Sequence, residues 1–288
     1  MAAIPLETAE VTRGTVIYRG VRSPYLSSGD RQAEEAVVFI HGNPGSSEDW
    51  RDLVGQVGTF ARALAPDMPG YGQADKPEDF NYTVAGYACH LDGILRHLGV
   101  RRAHLVLHDF GGPWGLAWAA QHPARLGSVT LINIGIMPGY RWHSLARIWR
   151  TPLLGELFQA TTTRFAFGLL LKRGNPRSLP KAIVDRMYRD LTNWGTKRAV
   201  LRLYRATRNP GQMAEALGPL FRQLDVPALV IWGAADPYVP VYYAERQREF
   251  FPCARIVILE QSGHWPFADD PKAVAGALIP FLQKQLKT

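Results

Sequence analysis

Short, β-rich runs alternate with helical patterns along the first half of this chain, and that rhythm restricts it to a parallel α/β sheet. Residues 37–40, 61–65, 104–107 and 128–134 read as strands, with helices expected over 48–60, 84–98 and 112–121. The rhythm then stops, because residues 137–208 are helix-like, aromatic and basic. It resumes at 228–232 and 255–259, and an amphipathic helix over 271–286 closes the chain. One sheet domain with a helical insert follows: a core over residues 1–136 and 213–288, and a cap over 137–212. No internal repeat or low-complexity tract interrupts it, and the Pro and Gly clusters fall between elements.

With 288 residues, 47% of them apolar, the chain can bury a large core, which excludes a disulfide scaffold or a disordered tail. The net charge of +8 is unevenly spread: residues 137–210 carry 15 Lys or Arg against three acids, Glu156, Asp185 and Asp190. These arginines have no nucleic-acid motif interleaved with them, so they read as solvated cations on exposed cap helices and no nucleic-acid partner is expected. Cys89 and Cys253 lie far apart without metal-ligand spacing, and the first thirty residues lack a basic start followed by an apolar stretch. The best apolar candidate for a membrane span, residues 165–171, is short and flanked by Arg164 and Lys172. A cytoplasmic protein with no membrane span is the expectation.

In open parallel sheets, ligands gather beyond the carboxyl ends of the strands. Four such ends carry chemistry: His41-Gly42-Asn43-Pro44-Gly45, His108-Asp109-Phe110-Gly111-Gly112, Gly233-Ala234-Ala235-Asp236 and Gln261-Ser262-Gly263-His264-Trp265. Asp109 stands where a strand turns sharply into a helix, a geometry that lifts a side chain into the open and sets it at the positive end of the helix. Singly, Asp109 reads equally well as a helix cap, Asp236 before Pro237 as a turn residue and His264 as a packing residue. As a set they differ, because an acid nucleophile, a later Asp and a final His each follow a separate apolar strand.

With that order, the quoted segments resemble the α/β-hydrolases, and among them the epoxide hydrolase and haloalkane dehalogenase branch, which uses an aspartate nucleophile. His41-Gly42-Asn43-Pro44 is similar to the oxyanion motif, Asp67-Met68-Pro69-Gly70-Tyr71-Gly72 through Asp75-Lys76-Pro77 to the next loop, and the Asp109 segment to the nucleophile elbow. Trp232-Gly233 through Asp236 and Gly263-His264-Trp265 resemble the acid and base motifs; Leu107 and Ala74 depart from the usual glycine and serine. The resemblance implies an α/β-hydrolase fold, a mostly parallel central sheet flanked by helices, with an inserted helical cap. It also implies a cofactor-independent and metal-free reaction. Asp109 attacks an sp³ carbon to form an alkyl ester, which water activated by His264, oriented by Asp236, then hydrolyses. Backbone N–H groups of Asn43 and Phe110 receive the oxyanion, each typically worth ~3 kcal/mol.

Two branches share that chemistry. A dehalogenase needs an indole N–H after the nucleophile to solvate halide, and Phe110 has none, although Asn43 matches the other halide contact. An epoxide hydrolase needs an acid for the ring oxygen, supplied in relatives by cap tyrosines, and Tyr204 in Leu203-Tyr204-Arg205 occupies the late-cap setting. Tyr140, or His143 nearby, is the candidate for the second donor; Trp142 and Trp265 are expected to bind substrate, and Tyr188 to pack. The reading is an epoxide hydrolase making vicinal diols from a small apolar epoxide and water, with a homodimer left open. Its alternatives are a haloalkane dehalogenase and a non-catalytic hydrolase scaffold that binds a ligand.

Overall fold

Each of the six runs becomes a strand, all but the last buried along most of its length, and with two further strands at the N-terminus they form one eight-stranded sheet. The computed structural model describes residues 7–286, so residues 1–6 and 287–288 of the expected core lie outside the described residues. In chain order the elements begin with β1 (Thr12–Tyr18), β2 (Val21–Ser28), β3 (Glu35–Ile40), α1 (Arg51–Val57), β4 (Arg62–Pro66), α2 (Val84–His97), β5 (Arg102–His108), α3 (Gly111–Gln121) and β6 (Leu126–Ile132). The insert follows as α4 (Ser144–Arg150), α5 (Leu154–Thr161), α6 (Arg164–Gly174), α7 (Lys181–Thr192), α8 (Trp194–Ala206) and α9 (Pro210–Leu224), so the expected cap boundary at 212 falls inside α9 rather than between elements. Then come β7 (Ala228–Gly233), α10 (Tyr242–Arg246), β8 (Arg255–Leu259), α11 (Pro266–Asp269) and α12 (Pro271–Gln285).

The strand order is β1-β2-β4-β3-β5-β6-β7-β8, antiparallel at the β1–β2 and β2–β4 pairs and parallel from β4 onward. The chain is an α/β-hydrolase fold in three layers. Alternate residues of a strand face opposite sides. Val38, Ile40, Leu105 and Leu107 accordingly meet α2 and α3, while Val37, Phe39, Val106 and Ile231 meet α1 and α12. The sequence reading has no strands before residue 37. β1 is an edge strand that buries only Val16, and β2 carries Pro24 and three serines, so neither shows an apolar run. The expected strand 128–134 ends instead at Ile132, because Asn133 turns the chain with φ +49°.

Several ion pairs join the insert to the core. Arg198 pairs with Glu78 and Arg177 with Asp270 at the surface, where such contacts contribute little. Arg186 of α7 differs, because its partner Asp49 has a side chain only 1% exposed. Burial raises the Asp49 pKa, opposed by the Arg186 charge. Replacing Arg186 by Gln should leave a buried carboxylate without its cation and cost about 3–5 kcal/mol of stability. Urea unfolding checks this, and the loss should shrink at acid pH, where Asp49 takes up a proton. Among the described residues no helix is long and apolar enough to cross a membrane.

Candidate active site

Sheet geometry brings three strand ends to one point. Asp109 follows β5 with φ +47°, a left-handed conformation that costs a residue other than glycine about 1–3 kcal/mol. Its neighbours make room for the turn: a Cβ at Gly42 would lie 2.3 Å from the Asp109 Cβ, and one at Gly111 would lie 2.3 Å from the Ile40 carbonyl oxygen. The strained turn sets the Asp109 carboxylate ahead of α3. Its Oδ1 accepts a hydrogen bond from the Asn43 N–H at 2.6 Å. Its Oδ2 faces His264 Nε2 at 3.6 Å, beyond a direct hydrogen bond.

His264 Nδ1–H donates to Asp236 Oδ2 at 2.6 Å, fixing the ring with Nε2 toward Asp109. Asp236 Oδ1 in turn accepts from the N–H groups of Tyr238 at 2.7 Å and Val239 at 3.0 Å. Asn133 completes the set: its Nδ2 donates to Asp236 Oδ2 at 2.8 Å and its Oδ1 accepts from the Gly233 N–H at 3.0 Å. The sequence reading missed Asn133 because it lies inside the run taken as a strand; the signal was a polar amide within an otherwise apolar strand end. His108, which precedes Asp109, is buried and held neutral, with its pKa lowered to about 3 by burial and by the His264 charge. Its Nε2–H donates to the His264 carbonyl at 2.7 Å.

Burial opposes charge on all three clustered groups, and their mutual attraction outweighs it. Asp109 and Asp236 both stay below the ordinary carboxylate range, chiefly through His264. At His264 the Asp236 and Asp109 carboxylates overcome burial and push the pKa from 6.5 up to about 10. A pKa raised on folding stabilises the fold fully below the unfolded value, and that stabilisation is lost as pH rises through the folded value. The thermal midpoint is therefore expected to fall between pH 6.5 and about 10 through this group. A His264→Gln protein should show a flatter midpoint over that interval, and an equal slope in both proteins would contradict the assignment.

A cavity of about 370 Å³, apolar over most of its wall, opens above Asp109 and His264 beneath the insert. Tyr204, buried on α8, stands edge-on to Phe110 with ring centroids 4.9 Å apart. Its hydroxyl accepts from Asn43 Nδ2 at 3.4 Å, so the phenolic proton is left to donate. Burial, then the Asp109 charge, raises its pKa well above the usual value. Tyr140 lines the cavity too, but its hydroxyl donates to the Tyr238 carbonyl at 3.2 Å. Trp142 lies in the wall with its indole N–H donated to the Thr207 carbonyl at 3.2 Å, and Trp265 lines the floor beside His264. His143 caps α4 by accepting the Ala146 N–H on Nδ1 at 3.2 Å, which puts its proton on Nε2. Burial lowers its pKa to about 4, so the ring is neutral. Tyr188 also reaches the cavity wall, packed against Phe167.

A family model described as alpha/beta hydrolase fold matches residues 35–271. The cis-3-alkyl-4-alkyloxetan-2-one decarboxylase of Xanthomonas campestris is 28% identical over 92% of this chain and 93% of its own. Among solved structures, haloalkane dehalogenase DbeA from Bradyrhizobium elkani superposes with a TM-score of 0.84 at 24% identity, over 96% of this chain and 99% of its own. Epoxide hydrolase CorEH does so with 0.81 at 18% identity, over the same shares. Likeness at those identities speaks for the fold alone.

Proposed function

The chain belongs to the alpha/beta hydrolase fold family, and on that premise we propose that it hydrolyses epoxides to vicinal diols through an alkyl ester of Asp109. The observation that carries the reading is Asn43, whose main chain holds the Asp109 carboxylate and whose side chain holds the Tyr204 hydroxyl. A nucleophile and a proton donor thus flank one cavity, while the position after the nucleophile offers a departing halide no donor, because Phe110 has no N–H in its ring, and Trp142 gives its own to Thr207.

In the first half-reaction Asp109 Oδ2 attacks a ring carbon, the carbon–oxygen bond breaks, and Tyr204 donates its proton to the ring oxygen. His143 Nε2–H is the better second donor, because Tyr140 would have to release the Tyr238 carbonyl. Burial and the Asp109 charge make Tyr204 a weaker acid, and esterification eases loss of its proton by removing that charge as the alkoxide develops. Esterification removes the Asp109 charge, one of the two carboxylates that keep His264 protonated. With that charge gone, His264 can give up its proton, which by way of water restores the Tyr204 phenolate to phenol, and can serve as base in the second half-reaction. It takes a proton from water, which attacks the Asp109 carboxyl carbon. The oxyanion then forms on Oδ1, already seated on the Asn43 N–H, with Phe110 N–H as the second donor. Collapse expels the diol oxygen, which takes the proton from His264.

Tyr204→Phe should slow alkylation by ~10²- to 10⁴-fold and leave hydrolysis of the ester nearly unchanged. Rapid-quench measurement of both steps checks this, and equal slowing of the two would remove Tyr204 from the role. A second reading, favoured by the coverage of the Xanthomonas relative, has Asp109 open a 2-oxetanone ring instead. Parallel incubation with an aryl epoxide, a 1-haloalkane and a cis-3,4-dialkyloxetan-2-one tests the proposal. Diol as the dominant product supports it; faster release of halide, or of carbon dioxide and alkene, overturns it.

A further inference from the structure

Between α6 and α7 the cap returns to the core at Gly174 and Asn175, and it lands on the loop that carries His264. The His264 N–H donates to the Gly174 carbonyl at 2.9 Å, and the Trp265 N–H donates to Asn175 Oδ1 at 3.2 Å. Asn175 Nδ2 donates back to the Leu171 carbonyl at 2.8 Å. One fully buried amide therefore bridges the last turn of α6 to the loop of the base. The approach is as tight as backbone permits: a Cβ at Gly263 would lie 1.9 Å from the Gly174 oxygen and 2.7 Å from the Asn175 Cα. The core holds the other side of the same loop, through His108 Nε2–H on the His264 carbonyl at 2.7 Å and Asp269 Oδ2 on the Gly263 N–H at 2.8 Å. His264 and Trp265 thus place their amide donors on the cap, while the acceptor of His264 is served by the core.

We propose that Asn175 is a positioning residue for His264, coupling the seating of the cap to the reach of the base. This rests on the catalytic reading of His264 given above. Nothing in alkylation needs the base, but ester hydrolysis needs Nε2, a water and the Asp109 carboxyl carbon in one line, and a misplacement near 1 Å can cost ~10²-fold. A lifted cap withdraws the acceptors of two amides in this loop, so the imidazole loses its register with Asp109 before the core itself loosens. Water activation is thereby confined to the state in which the cap covers the cavity.

The test separates the half-reactions in Asn175→Ala and, as a control, in Arg198→Gln, which severs a cap–core ion pair at Glu78 far from the loop. In Asn175→Ala, ester hydrolysis should fall ~10- to 100-fold with alkylation within about threefold of the parent, so the alkyl-enzyme accumulates. The pH dependence of hydrolysis should also shift, as the His264–Asp236 contact relaxes. Arg198→Gln should leave both steps and the pH profile as they are. Equal loss in both half-reactions, or the same pattern in the control, overturns the proposal. Should Asn175→Ala fail to fold, Asn175→Ser carries the same comparison, its hydroxyl being too short to reach the Trp265 N–H. Hydrogen exchange on the unaltered protein gives a reading that needs no substrate. The His264 and Trp265 amides should exchange in step with the end of α6, and exchange in step with β8 overturns the clamp. Exchange with α6 in a protein that turns over none of the three substrates supports the clamp and sinks the catalytic reading instead.

Discussion

Replacing His264 by Gln is expected to leave a protein that reacts once and stops. Attack by Asp109 Oδ2 on carbon requires a free carboxylate and a proton donor at the leaving oxygen, and neither is His264. Hydrolysis of the resulting ester requires a base beside the water, and the side chain 3.6 Å from Asp109 Oδ2 with its far nitrogen on Asp236 is the group so placed. Turnover should fall by ~10⁴-fold or more, the scale on which loss of a triad member acts. Meanwhile the intact mass should rise by one substrate molecule, and peptide mapping should find the addition on Asp109. In the unaltered protein, one turnover in ¹⁸O-water should leave label in that carboxyl group. A His264→Gln protein that stays unmodified, or label that goes directly to product, would falsify the covalent mechanism.

The second large effect is expected at Asp109 itself. Asp109→Asn removes the attacking oxygen, so no ester should form and turnover should drop by at least ~10⁴-fold. Two further consequences distinguish loss of chemistry from loss of structure. Asparagine accepts a left-handed backbone better than most residues, and φ is +47° here, so the turn should hold and the thermal midpoint should fall only by the attraction lost between Asp109 and His264, a loss that fades as pH rises toward 10. Burial and Asp236 would then act on His264 without the Asp109 carboxylate, so its pKa should drop from about 10. Imidazole titration by NMR reads that drop directly. A midpoint well below the parent's even near pH 10, or an unmoved His264, would mean that Asp109 supports the fold rather than the charge balance of the site.

How much of this was legible in the sequence depended on where each residue lies relative to an apolar run. β3 through β7 could be read because both faces of each strand are mostly covered, which concentrates apolar residues there, and the half-buried β8 because it runs Ile-Val-Ile-Leu. β1 and β2 could not, because an edge strand with one buried side chain and a proline-bearing partner show no such run. Asp109, Asp236 and His264 stood out as polar residues just beyond apolar strands, and the structure gathers them into one cluster, with Asp109 and His264 lining the cavity and Asp236 behind the imidazole. Asn133 was hidden within the run of β6, and Asn175 in a Gly-Asn-Pro stretch that reads as an ordinary turn. The directions of the cavity donors were also closed to sequence. That Tyr140 gives its proton to Tyr238, Trp142 to Thr207, while Tyr204 keeps its own, follows from how the cap helices pack.

The insert leaves the sheet at the end of β6 and rejoins it at β7, and those two strands are neighbours, with Val129 opposite Ala228. Because the pair is parallel, the insert leaves at one edge of the sheet and must return to the other, and α9 is the last helix of that crossover. Loop closure grows slowly with length, at about 0.6 kcal/mol per doubling, so a longer, shorter or differently folded stretch ahead of α9 would tax the core very little. Such a graft point lets the two halves of the enzyme evolve at separate rates. The chemistry can be inherited with the sheet while the walls that choose the substrate are exchanged wholesale, provided each newcomer sets a carbonyl and an amide oxygen over the loop at His264.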